Sequence, residues 1–305
     1  MMYGSYLLDL NLPGQAVDVL RAQISKKNPT DQGVYSLLAK AYLRLGNYAE
    51  AISLLKKEIA LNVNAPAPYL QLANVYSERK DYASGISVIN QLLTHQPGFY
   101  EAKLVLAKLY RDAKQYDESL KIAKTLSADP KLAPLGFALE GDIRFAQKDW
   151  VGALRAYENA NQGKPTLQNV VGMYRVFEDM GKWQEGVVRL RAWVRDNPRD
   201  VAGRLALIAA LRGHGDHVGA FSVVNEGVRI VPESAVLLNE AAMLAADLKQ
   251  RGALGDAERA YKLAPQIAEV KDTYGWLLFT SGRKKEAMPL LQSAAATLVD
   301  NPEIQ

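Results

Sequence analysis

The chain has 305 residues, 49% of them hydrophobic, with 37 Lys and Arg against 33 Asp and Glu for a net charge of +4. The absence of cysteine excludes disulfides, thiolate catalysis and cysteine metal sites. No apolar stretch reaches the ~20 residues that span a bilayer, and +4 is too small for the basic stripe of a nucleic-acid binder.

The opening Met1-Met2-Tyr3-Gly4-Ser5 is not a basic region followed by a long apolar segment, so no signal peptide is visible. From residue 30 the chain is periodic. Tyr42, Tyr76 and Tyr110 recur every 34 residues, and so do Tyr48, Tyr82 and Tyr116; Trp150 follows 34 later and Trp183 a further 33. This interval marks a helical hairpin stacked many times. Spacings of three and four put Tyr35, Leu38, Ala39 and Tyr42 on one face of a first helix. Small residues such as Ala39, Ala51, Gly141 and Ala287 let the two helices approach, and Tyr48 and Trp150 begin second helices.

Gly46, Gly181, Gly215 and Gly282 suit the left-handed conformation that ends a helix. Prolines at 29, 97, 165, 198, 232 and 265 stop second helices. The sequence predicts one all-α solenoid with eight full units at about 30–63, 64–97, 98–131, 132–165, 166–198, 199–232, 233–265 and 266–302. Residues 1–29 form a partial unit, with Gly4 and Ala16 at the small positions. Pro130 and Pro134 predict a bent or lengthened connection over 126–136, and the turn within Asp247-Leu248-Lys249-Gln250 lacks a glycine.

Tyr35, Leu38, Ala39, Tyr42, Gly46, Tyr48, Ala51 and Leu55, repeated in phase along nearly the whole chain, resemble the tetratricopeptide repeat (TPR) family. The resemblance implies a right-handed superhelix of antiparallel helix pairs and a protein-interaction role. It also implies an inner groove lined by first helices. Carried over residue by residue, Lys40, Arg44, Asn74, Lys108, Arg111 and Arg175 form a mildly basic inner strip. Asparagine can hold a peptide backbone through its amide, and the cations suit carboxylates. The alternative is a solvated face without a dedicated ligand. The carboxylate clamp of chaperone-binding relatives is not matched: its positions carry Ser36, Lys40, Gln71, Glu101 and Val105.

No phosphate-cradling glycine loop occurs. His214 and His217 are spaced to share a metal, but His217 occupies the aromatic slot of its unit and is expected to pack there. Arg189, Arg191, Arg195 and Arg199 read as a solvated outer face, and His95 ends a helix whose dipole favours a cation. The expectation is therefore no enzyme, no cofactor and no metal.

A narrower resemblance rests on Leu237-Leu238-Asn239-Glu240, Ala257-Glu258-Arg259-Ala260-Tyr261, Asp272-Thr273-Tyr274-Gly275-Trp276 and Asn301-Pro302-Glu303-Ile304. These resemble the end of bacterial TPR lipoproteins of exosortase (PEP-CTERM) systems linked to exopolysaccharide export. The resemblance implies a scaffold in the periplasm, or on the periplasmic side of the membrane, with the cytoplasm as the alternative. Tyr274 departs from the family's leucine and no lipobox cysteine is present, so any lipid anchor would lie outside this chain.

Residue 1 falls within a hairpin, residues 301–305 read as the entrance to another unit, and neither end offers a polar cap. The expectation is a segment of a longer protein, or association through an exposed end. The leading reading is a scaffold that binds a peptide or partner protein in its groove. Beside it stand a structural, self-assembling element of an envelope complex and a regulatory module of a larger protein.

Overall fold

A computed structural model describes residues 2–26, 32–162 and 165–298. Pro29 and residues 301–305, read above as a helix stop and an entrance to another unit, lie outside the described residues. Helices alternate as first and second members of pairs: Met2–Asp9 (α1) with Pro13–Lys26 (α2), Gln32–Arg44 (α3) with Tyr48–Leu61 (α4), Pro66–Glu78 (α5) with Tyr82–His95 (α6), Tyr100–Asp112 (α7) with Tyr116–Ser127 (α8), and Ala133–Ala146 (α9) with Trp150–Ala160 (α10). The series continues with Leu167–Asp179 (α11) and Trp183–Asp196 (α12), Val201–Gly213 (α13) and His217–Ile230 (α14), Ala235–Asp247 (α15) and Ala253–Leu263 (α16), and Ala268–Thr280 (α17) and Lys284–Leu298 (α18). The fold is all-α, with no strand among the described residues. The chain divides into two compact units, Met1–Gln162 and Gly163–Gln305.

Local chemistry explains the pairs. Tyr48, Tyr82, Tyr116, Trp150, Trp183 and His217 are each the first residue of a second helix. Asp81, Asp149 and Asp216 precede three of these helices, and each accepts a hydrogen bond from a backbone N–H three residues on, at Ser84, Gly152 and Gly219. Such caps satisfy donors that the helix itself leaves orphaned. Within a pair the helices meet through small residues: Ala39, Ala73 and Ala107 of α3, α5 and α7, and Ala51 of α4, have no exposed surface.

The turn between the helices of a pair requires a left-handed residue. Gly46, Gly181, Gly215 and Gly282 supply it, with φ between 72° and 89°. In the intervening pairs the same place is held by Lys80, Lys114, Lys148 and Lys249, at φ 60°, 61°, 61° and 52°. A side chain there costs about 1 kcal/mol relative to glycine. Lys114→Gly is therefore expected to stabilise the first unit by about 1 kcal/mol, read as a higher denaturant midpoint. A lower midpoint would refute the assignment of strain.

Two irregularities appear where the sequence placed them. The link from α8 to α9 has five residues, 128–132, against four in 62–65 and 96–99, and Pro134 sits in the first turn of α9. The α15–α16 turn is lengthened to 248–252, with Gly252 (φ 101°) added as a second left-handed residue after Lys249.

A continuous core in the first unit runs from Leu7 and Leu20 through Leu38, Leu55, Tyr69 and Leu72 to Ile89 and Leu109. One charged side chain intrudes. Glu58 of α4 is 6% exposed and sits where α6 and α8 carry Leu92 and Leu126. Its carboxylate accepts from the Ser36 hydroxyl at 2.7 Å. Burial raises its pKa above the ordinary 4.5, and the serine bond only partly offsets this. A raised folded-state pKa means that Glu58 favours the fold fully below about pH 4.5, a contribution lost as pH rises through the folded value. Glu58→Gln is expected to stabilise the protein at pH 7 and to make little difference at pH 4. An equal gain at both values would sink this reading.

Candidate interaction face

Three first helices of the first unit present an exposed polar residue at the same place in the repeat. Lys40, Asn74 and Lys108 each directly follow a fully buried alanine, and each is exposed. Among first helices of this unit, α1 touches α3, α5 touches α7 and α7 touches α9.

The structure modifies the basic strip expected there. Arg111, on α7, is held between two carboxylates: its guanidinium lies 2.8 Å from Asp112 and 3.8 Å from Asp142 of α9. Asp142 also accepts a 2.6 Å hydrogen bond from the Tyr157 hydroxyl of α10. Arg44 donates to the carbonyl of Leu8, on α1. Two of the expected cations thus join neighbouring helices. Among the described residues Lys40 and Lys108 make no ion pair. Arg175 is exposed on α11, in the second unit, and the structure does not join it to the other five. The sequence reading counted positive charge by position and missed that Asp112 and Asp142 would answer Arg111. The signal was available, since both acids fall at inner-surface positions of the repeat.

The second unit carries a different set of inner side chains. Arg212 of α13 bonds Glu240 of α15 at 2.9 Å. Glu178 of α11 accepts from the Tyr174 hydroxyl at 2.7 Å and lies 3.0 Å from His214 Nε2. Burial, then the Glu178 carboxylate, pushes the Tyr174 phenol well above its ordinary range. His214 stacks flat on Trp183, with centroids 4.4 Å apart at 3°. His217 corrects an expectation: it begins α14, but its side chain is exposed rather than packed. The turn residue His214 takes the ring contact instead, because the flat Trp183 face and Glu178 together hold its imidazole. On α17, Trp276 (58% exposed) and Phe279 (36%) stack with centroids 6.1 Å apart.

The run Arg189, Arg191, Arg195 and Arg199 is exposed, as is His95 at the end of α6. No group of three or more His, Cys, Asp or Glu able to hold a metal occurs among the described residues. No helix there is long and apolar enough to cross a membrane.

The pairing, the turn geometry and the interval define a helical-repeat protein. Family models described as tetratricopeptide repeat match residues 34–67 and 76–141. A tetratricopeptide repeat protein from Parabacteroides merdae aligns over 96% of both chains at 15% identity, with a TM-score of 0.46. MamA from Desulfovibrio magneticus RS-1, from its residue 41 to its end, covers 55% of this chain and 97% of its own at 17% identity and a TM-score of 0.43. A further MamA structure covers 53% and 90% at 15% identity and 0.42. No curated protein sequence matches the chain.

Proposed function

We propose that this chain is a non-catalytic interaction scaffold that holds a peptide or partner protein against its first helices. One observation carries the reading: Lys40, Asn74 and Lys108 stand exposed in register over fully buried alanines. An acidic segment laid along this face meets two unpaired ammonium groups and an amide able to grip backbone. The resemblance of residues 237–304 to exosortase-system lipoproteins supports a place in exopolysaccharide export or protein sorting, on the periplasmic side of a bacterial envelope.

A second reading, an element that associates with its own copies, is favoured by Met2, Tyr3 and Tyr6 of α1, which are 89%, 59% and 56% exposed. Sedimentation that does not depend on concentration would count against it.

The test of the first reading is capture of partners from envelope and cytosolic fractions of the source organism, followed by titration of the captured protein. Lys40→Ala with Lys108→Ala is expected to weaken binding about tenfold, or ~1.4 kcal/mol, and to flatten its salt dependence. Unchanged affinity would move the site off this face. Capture of cytosolic enzymes alone would remove the export role.

A further inference from the structure

In two helix pairs the residue just before the left-handed turn position lies over the aromatic ring that opens the second helix of the preceding pair. Arg79 precedes Lys80, and its guanidinium stands 5.6 Å from the centre of the Tyr48 ring. His214 precedes Gly215, and its imidazole lies flat on Trp183 with centroids 4.4 Å apart. A cation over an aromatic face is held by the ring quadrupole. Arginine is always charged, whereas an imidazole changes its charge within the range from about pH 5 to 8. The place that takes a permanent cation in one pair takes a titratable one in another.

Two further features suit a charged imidazole here. His214 is the C-cap of α13, where the helix dipole favours a cation. Across the gap, Glu178 of α11 pairs with it, 3.0 Å from Nε2. The Tyr174 hydroxyl donates to the same carboxylate at 2.7 Å and holds it in place. A carboxylate only accepts, so the hydrogen of the neutral ring sits on Nε2 and a second proton goes to Nδ1. The other charges of the packed elements have partners of their own. Arg212 bonds Glu240 of α15, Asp216 caps α14 through the Gly219 N–H, and Lys182, just before α12, stands 3.9 Å from Glu185. Arg175, Asp179 and the exposed His217 complete the ionisable groups at the end of α11 and in this turn, with Asp247 and Lys249 in the turn of the following pair.

We propose that His214 is a pH-sensitive latch between two successive helix pairs of the second unit. A proton taken from solvent at Nδ1 turns the stacked ring into a cation held at once by the Trp183 face and the Glu178 carboxylate. That draws the α13–α14 turn onto the α11–α12 pair. Loss of the proton leaves the stack and one weaker hydrogen bond, since bonds to ionised donors are the stronger ones. The latch therefore loosens as pH rises.

The test is hydrogen–deuterium exchange of the intact chain, followed at the Gly215 and Asp216 amides, which donate to the carbonyls of Arg212 and Leu211 across this turn. Their protection, corrected for the intrinsic effect of pH on exchange, is expected to be about threefold greater near pH 5 than near pH 8. His214→Gln and Glu178→Gln are each expected to bring that ratio to one. His214→Arg, which supplies a permanent cation as Arg79 does, is expected to hold the higher protection at both pH values. His217→Gln, which alters the neighbouring exposed imidazole, is expected to keep the wild-type ratio. A wild-type ratio near one, a ratio that survives in His214→Gln or Glu178→Gln, low protection in His214→Arg, or a ratio lost in His217→Gln would each overturn the proposal.

Discussion

Arg204→Ala is expected to cost the second unit about 2–5 kcal/mol, the range for truncating a large buried side chain. Arg204 is the fourth residue of α13, the place that Tyr35 and Tyr69 hold in α3 and α5, and it is 1% exposed. Its guanidinium donates to the carbonyls of Val223 and Pro198, each at 3.1 Å, and lies 3.3 Å from the Glu226 carboxylate. Gly227 makes the room, since a Cβ there would stand 2.4 Å from Arg204 Cδ. Truncation removes the donors and the stem together, leaving a cavity and an unanswered Pro198 carbonyl. Arg204→Leu returns to this place the kind of large apolar body found elsewhere and is expected to cost less than half as much. Chemical denaturation of both variants decides the matter. A loss under about 1 kcal/mol in the alanine variant would mean that water reaches the site and shares the load.

Gly136→Ala is expected to destabilise the first unit by about 3 kcal/mol, the upper end for overpacking. A Cβ on this α9 residue would stand 2.4 Å from the backbone nitrogen of Ser127 and 2.8 Å from the Ala123 carbonyl oxygen, both on α8. Backbone cannot swing aside as a side chain can, so α9 must lift from α8. Gly255→Ala is the control. It lies within α16 with nothing near the added methyl, and is expected to stabilise by about 0.5–1 kcal/mol through helix propensity. Thermal melts of the two variants should move in opposite directions. A melt for Gly136→Ala indistinguishable from wild type would show that the α8–α9 contact is not tight.

Much of this fold was legible because the same physical demands recur at a fixed interval. An aromatic at the start of a second helix, a small residue where two helices touch and a left-handed residue between them each leave a mark, and Tyr48, Ala39 and Gly46 carried all three. What escaped was the exception that keeps the backbone and changes the side chain. Lys80, Lys114 and Lys148 stand at the glycine positions with glycine's conformation, and their interval was visible, but lysine at positive φ is no ordinary signal. Glu58 and Arg204 were missed because a charged residue at a core position is legible only once its neighbours are known. Lys40, Asn74 and Lys108 are exposed; Asp112 and Asp142 stood in view in the sequence as well, but their pairing with Arg111 needed coordinates.

The two compact units also divide the tryptophans unequally. Trp150 alone lies in the first, while Trp183, Trp193 and Trp276 lie in the second. Within each unit the extensive contacts join helices adjacent in sequence or one helix removed, so no distant loop must close before a segment can order. Such a chain can melt in stages. Intrinsic fluorescence would then follow mainly the second unit, whereas circular dichroism follows both. A gap between the two transitions would read out the independence of the halves without any label.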